Sequence, residues 1–174
     1  MEEYDTVSKI SIVPRGVEGG VTIFTPDEET LQNGLYSKRY LLDRICVSMG
    51  GRISEEILNG KQKVTSASAK DIQSATNIAK VMVEQYGMSD KIGPRFAEYP
   101  ANTIPHPKDN LRAQLDDEID RILREQTERG TRIIMENREL LDTISEHLIK
   151  YETLERSDIQ NIITKYKFDK LSKV

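Results

Sequence analysis

The 174 residues contain no tryptophan, one cysteine and two histidines, and each scarcity closes off a class of chemistry. A single cysteine permits no disulfide within the chain. Cys46 sits in the apolar run Ile45-Cys46-Val47, where it reads as a small buried hydrophobe rather than a nucleophile, and its free thiol points to a reducing compartment. His106 and His147 stand 41 residues apart, so they cannot be a pair four apart on one helix face that shares a metal. Both read as ordinary surface or helix residues. No stretch approaches the ~20 apolar residues of a membrane span. The acidic start Met1-Glu2-Glu3-Tyr4-Asp5 has neither the basic opening nor the apolar stretch of a secretory signal, so the chain as written is expected to be soluble. A net charge of -4 with both signs interspersed leaves no basic stripe for phosphates, which excludes nucleic acid as the expected partner.

Charged residues make up 31% of the chain and apolar ones 37%, the balance of a helical domain with solvated outer faces and a modest core. At this length one domain, 1–174, is expected, burying roughly two thirds of the surface of its unfolded form. The pattern predicts a fold that is mainly α with a small N-terminal β-hairpin or sheet. Residues 9–24 alternate at period two through Ile10, Ile12, Val21 and Ile23, giving two short strands joined by a glycine-rich turn. Ser37 is placed to cap a helix with inner face Leu41, Leu42, Ile45 and Met49. Gly50-Gly51 bends or breaks that helix, and Asn59-Gly60 closes the segment after it.

Apolar residues from Ile72 to Tyr86 recur three or four apart, a helix that Gly87 stops. Four of the six prolines, Pro94, Pro100, Pro105 and Pro107, fall within 90–110, which predicts a mobile, irregular connection. The helical period returns from Leu111 to Leu148, with Gly130 and Asn137 as candidate interruptions and a bend expected near Asn137. Ser157-Asp158-Ile159-Gln160 has capping-box spacing and starts a last helix. The ends, 1–8 and 167–174, are expected to fray.

Two features invite a chemical reading. Asp71 follows Ser68 at capping-box spacing, and a carboxylate in the first turn of a helix is favoured by ~0.3–1 kcal/mol through the helix dipole. Ile10, Ser11, Ile12 and Val13 form a candidate edge strand, whose unpaired amides and carbonyls an extended peptide could satisfy. The plain alternative for these four residues is a short hairpin packed on the helices.

Three segments in order, Gly50-Gly51-Arg52-Ile53-Ser54-Glu55-Glu56-Ile57, Thr65-Ser66-Ala67-Ser68-Ala69-Lys70-Asp71-Ile72 and Tyr86-Gly87-Met88-Ser89-Asp90, together resemble the peptidase domain of the FtsH family of membrane-anchored, ATP-dependent zinc proteases. Residues 8–16 look like the family's strand after its catalytic helix. Leu115-Asp116-Asp117-Glu118-Ile119-Asp120, Glu128-Arg129, Glu136-Asn137-Arg138-Glu139-Leu140-Leu141 and Glu152-Thr153-Leu154 look like its C-terminal helices. The resemblance implies an FtsH-peptidase-like helical domain from a protease of protein quality control. It implies zinc as the family's cofactor, with Asp71 matching the third zinc ligand and Ile10–Val13 at the rim of the substrate cleft. Implied partners are an ATPase domain or chain of FtsH type, extended peptide substrates and further copies of the chain, with a hexameric ring as the family's arrangement. The parent assembly would be membrane-associated.

The family's His-Glu-x-x-His helix, which holds the metal and activates water, has no counterpart in these 174 residues, nor do its ATPase domain and membrane anchor. Ala67 and Lys70 replace a usual glycine and asparagine, and Thr127 and Gly130 a usual tyrosine and alanine. The expectation is therefore a domain that is inactive alone, with Asp71 vestigial and no zinc bound to this chain by itself. The alternatives are part of an active protease completed by another chain, and a non-catalytic assembly or adaptor subunit. A body missing a packed helix exposes apolar surface at ~25 cal/mol per Å², and self-association is the expected way to cover it.

Overall fold

Ser37 opens the first helix as expected: its backbone is extended and its hydroxyl accepts the Tyr40 amide at 3.1 Å, starting α1 (Lys38–Ser48). In the computed structural model the described residues are 5–14, 16, 19–26, 34–97 and 110–171. They fall into two compact units, one of residues 36–134 and one built from 1–35 with 135–174. His106 and most of the proline-rich connection lie outside the described residues.

In the unit of residues 36–134, the turn at Met49 separates α1 from α2 (Gly50–Asn59), so the break falls one residue before the glycine pair. Two 3₁₀ turns, Lys61–Lys63 and Ser66–Ser68, lead to α3 (Ala69–Glu84). The long helix α4 (Asn110–Glu136) follows. Leu41 and Ile45 of α1, Ala75, Ala79, Met82 and Val83 of α3, and Leu115, Ile119 and Ile122 of α4 are buried in one core. The i, i+3, i+4 stripes read from the sequence are these faces. Ile72 and Tyr86, at the two ends of the α3 stripe, remain exposed at 38% and 49%.

Gly87 ends the chain's path out of α3 with φ +61°, and a Cβ there would lie 2.9 Å from Arg95 N and Pro94 Cα. Only glycine meets both demands. Gly130, by contrast, does not interrupt its helix. It lies inside α4, where a Cβ would come 2.7 Å from Ile53 Cδ1 and 3.4 Å from Cys46 Sγ, so its role is the close approach of α4 to α1 and α2. The interruption falls at Asn137 (φ -120°, ψ 29°), between α4 and α5 (Arg138–Tyr151).

In the other unit, β1 (Thr6–Ser11), β2 (Val21–Thr25) and β3 (Thr153–Glu155) form an antiparallel sheet in the order β2-β1-β3. Ile10 pairs with Thr22 on one side and Leu154 on the other, and Ser11 with Val21 and Thr153. Leu154 joins Ile159 and Ile162 of α6 (Arg156–Leu171) as the buried centre, with Val7, Ile10, Leu140, Ile144 and Leu148 packed around it.

Two expectations are overturned, on Glu152–Leu154 and on Ser157. Glu152-Thr153-Leu154 is not helical: Glu152 adopts a left-handed conformation (φ 59°) after α5, and the next residues pair with β1. The last helix is not capped by Ser157. It starts at Arg156, and the Asp158 carboxylate accepts the Glu155 amide at 3.0 Å, so the reciprocal capping bond is set one residue pair earlier. Within the stretches expected to fray, Thr6–Ser8 belong to β1 and Lys167–Leu171 to α6.

Candidate functional site

Asp71 stands in the first turn of α3, and what brings it there is a chain of bonds from α2. The Glu55 carboxylate accepts the Thr65 hydroxyl at 2.6 Å and the Thr65 amide at 3.1 Å. These two bonds hold the Glu55 carboxyl below its ordinary pKa. The Thr65 hydroxyl in turn accepts the Ala67 amide at 3.2 Å, which starts the 3₁₀ turn ahead of α3. Ser68 is buried, and its Oγ lies at ordinary contact distance, 3.5 Å, from where a Cβ on Gly51 would be. The first two resemblance segments are thus joined to each other directly.

The capping-box reading of Ser68 and Asp71 is not realised, since Ser68 occupies the N-cap of α3 without a side-chain capping bond. Asp71 is exposed, and so is every residue from Ala69 to Ser74. A carboxylate in this first turn suits the helix dipole. A hydrolytic zinc site needs three protein ligands and an open position for water. Among the described residues no group of three His, Cys, Asp or Glu side chains comes together to hold a metal. The other candidates have different occupations. His147 is half-buried on α5, its Nδ1 lies 2.8 Å from the Thr143 carbonyl, and because a carbonyl only accepts, Nδ1 carries the proton. Cys46 is buried, and that burial pushes its thiol pKa up, away from a ligating thiolate. The described residues therefore do not fit a zinc ion.

The candidate edge strand loses its premise. Ile10 and Ser11 lie in β1, the middle strand, with β2 and β3 paired on either side, and the Ile12 amide donates to the Glu152 carbonyl at 2.9 Å. The edges of the sheet are β2 and β3. Val13, past the end of β1, is exposed, and its amide reaches the Ser11 hydroxyl at 3.3 Å.

A buried acid escaped the sequence reading. Glu118 is fully buried on α4, where it accepts the Ser89 hydroxyl at 2.7 Å and two Arg121 nitrogens at 2.8 Å each. Arg121 also binds Glu125 at 2.6 Å. The Arg121 bonds hold the Glu118 carboxyl below its ordinary pKa against the opposing effect of burial, with Ser89 helping. Ser89 Oγ accepts the Lys91 and Ile92 amides at 3.1 and 3.0 Å, so the third resemblance segment is fastened to α4 by this network. The signal was present: Leu115, Glu118, Ile119 and Ile122 share the i, i+3, i+4, i+7 stripe, with Arg121 three residues after the acid. A shallow recess of about 400 Å³ lies along α1 and α4, lined by Lys38, Arg39, Leu42, Asp43 and Arg129, and does not include Asp71. Asp43 and Arg129 are ion-paired across it at 2.5 Å.

The fold is a mostly helical arrangement with a small antiparallel sheet and three fastened segments, and comparison with known proteins supplies its class. The chain belongs to peptidase family M41, whose family model matches residues 1–162. It is 36% identical over 172 residues to the ATP-dependent zinc metalloprotease FtsH 3 of Synechocystis, covering 94% of this chain and 28% of that protein. It is 38% identical over 173 residues to the ATP-dependent zinc metalloprotease FtsH of Bacillus subtilis, covering 94% and 26%. With the chloroplastic ATP-dependent zinc metalloprotease FTSH 1 of Arabidopsis thaliana the identity is 34% over 171 residues, covering 93% and 24%. The chain thus spans about a quarter of the length of these curated relatives. No described helix is long and apolar enough to cross a membrane.

Proposed function

We propose that this chain is the peptidase-domain portion of an FtsH-like, membrane-associated, ATP-dependent zinc metalloprotease of protein quality control, without peptidase activity as it stands. One observation carries the reading: Asp71, which matches a family ligand, is exposed, no metal-binding group of His, Cys, Asp or Glu forms among the described residues, and the 174-residue sequence holds no His-Glu-x-x-His. Peptide hydrolysis of this kind needs an activated water and a nearby base. This chain's described residues supply neither. Its part is structural: α1 to α4 hold the α3 start in place, and Asp71 is presented there on an uncovered helix end.

In this reading the chain works with an ATPase domain or chain of FtsH type, on extended peptide substrates, in a reducing compartment. Copies associate, with a hexameric ring as the family's arrangement. Exposed apolar side chains such as Leu58, Ile149, Phe168 and Leu171, each more than half exposed, are consistent with surfaces that partners cover. The test loads the untagged chain with zinc, desalts it, measures metal by mass spectrometry and follows hydrolysis of a denatured protein substrate. Zinc far below one per chain and no hydrolysis are expected. Close to one zinc per chain, or hydrolysis that a chelator stops, overturns the proposal. Light scattering tests association separately, and a monomer mass at micromolar concentration counts against it.

A further inference from the structure

Asn59 and Gly60 end α2, and both are exposed. Gly60 has φ 81° and ψ 157°, and a Cβ there would meet nothing within 4 Å, so the junction is open to solvent. The geometry points to Asn59-Gly60 as a site of spontaneous deamidation, gated by fraying of the last turn of α2. In this reaction the Gly60 backbone nitrogen loses its proton and attacks the Asn59 side-chain carbonyl carbon. A carbon–nitrogen bond forms, the side-chain amide nitrogen leaves as ammonia, and a five-membered imide results. Water then opens the imide at either carbonyl, giving aspartate or isoaspartate. The only reactant besides the chain is water.

The folded helix withholds the nucleophile. The Gly60 amide donates to the Glu56 carbonyl at 2.9 Å, and Asn59 must leave the helical ψ of about -42° for the ring to close. Around it the Lys63 amide donates to the Gly60 carbonyl at 3.0 Å, and Glu56 pairs with Lys61 at 3.4 Å and Arg52 at 4.0 Å, ion pairs of a type that contributes little. Helix ends of this kind open at small free-energy cost. The product matters to the neighbouring site. Isoaspartate adds a backbone atom just ahead of a connection whose two ends are tied by the Glu55–Thr65 bonds, and Thr65 starts the turn that leads to Asp71.

The whole chain is incubated at physiological pH and temperature, digested with trypsin under mildly acidic conditions, and the peptide of residues 53–61 is followed by mass spectrometry. A synthetic peptide of the same sequence is followed in parallel. The expected result is amide-to-acid conversion at Asn59 that is slower than in the peptide by roughly tenfold, the protection of a fraying helix end. Leu58→Gly, an exposed change that loosens the turn, moves the protein rate several-fold towards that of its matched peptide. Asn59→Gln abolishes the conversion. No conversion while the peptide converts fully, equal rates in protein and peptide, or no response to Leu58→Gly each overturns the proposal.

Discussion

Replacing Glu118 by alanine removes a fully buried carboxylate and the three bonds of 2.7, 2.8 and 2.8 Å that it accepts. Hydrogen bonds to a charged group contribute about 1.5–3 kcal/mol each, but these three do not add. Arg121 is 36% exposed and keeps Glu125, so its charge is not stranded in an apolar interior. Ser89 keeps its two backbone donors and loses only its acceptor. The net loss is therefore about 2–4 kcal/mol, below the ~3–5 kcal/mol of breaking a wholly buried pair. That is a large share of a typical stability of about 5–15 kcal/mol.

Urea unfolding at neutral pH should show a lower midpoint with an unchanged slope, since the surface exposed on unfolding is the same. Glu118→Gln keeps an acceptor for Ser89 and should lose about half as much. Because the folded Glu118 pKa lies below the ordinary 4.5, its stabilisation is fully present above that value and is lost as pH falls through the folded pKa. The gap between wild type and Glu118→Gln should be flat above that value and narrow below it. An alanine variant within ~0.5 kcal/mol of wild type, the range of an ordinary surface change, refutes the reasoning, and so does a glutamine gap indifferent to acid.

Gly130→Ala places a Cβ 2.7 Å from Ile53 Cδ1, and overpacking of about 1–3 kcal/mol should outweigh the ~1 kcal/mol gained in helix propensity. Ile53→Val removes the offending carbon, so a double-mutant cycle in urea should give a favourable coupling of about 1 kcal/mol, and simple additivity would contradict the close contact. Ser37→Ala removes the cap on the Tyr40 amide and should cost ~1 kcal/mol by the same assay. Asp71→Asn, at an exposed position, should leave stability within ~0.5 kcal/mol and the zinc content of the purified chain unchanged; a clear drop in bound metal would show Asp71 at work as a ligand.

Where an element's own residues determine it, it was legible before the structure. Ser37, the stripe of α3 and the break at Asn137 follow from local chemistry, whereas α3 ends at Glu84, before the expected stop at Gly87. β3 was not legible, because three residues have no periodicity and become a strand only by pairing with Lys9, Ile10 and Ser11 from the far end of the chain. The same pairing moved Ile10 and Ser11 from the expected edge to the middle of the sheet. Gly130 reads as a helix breaker on propensity and proves to be a contact point, since what it faces, Ile53 and Cys46, lies on other helices. At the site, Asp71 could be placed at the start of a helix, but not the grip of Glu55 on Thr65, ten residues away across a turn.

The three segments that carry the family resemblance behave as joints in this fold. Ser68 packs beside Gly51, Glu55 ties down Thr65, and Ser89 fastens its loop to Glu118 and hence to α4. None of these contacts involves a metal, and each stabilises helix placement whether or not a peptide is ever cut. Likeness in these segments therefore speaks to fold and family, and would survive in a domain that had lost its chemistry. Activity depends on a different set of side chains, two imidazoles and a general base, which packing does not require and which the joints cannot replace. That separation is why a match to M41 peptidases and an exposed Asp71 that no metal-binding group joins among the described residues belong to the same molecule without contradiction.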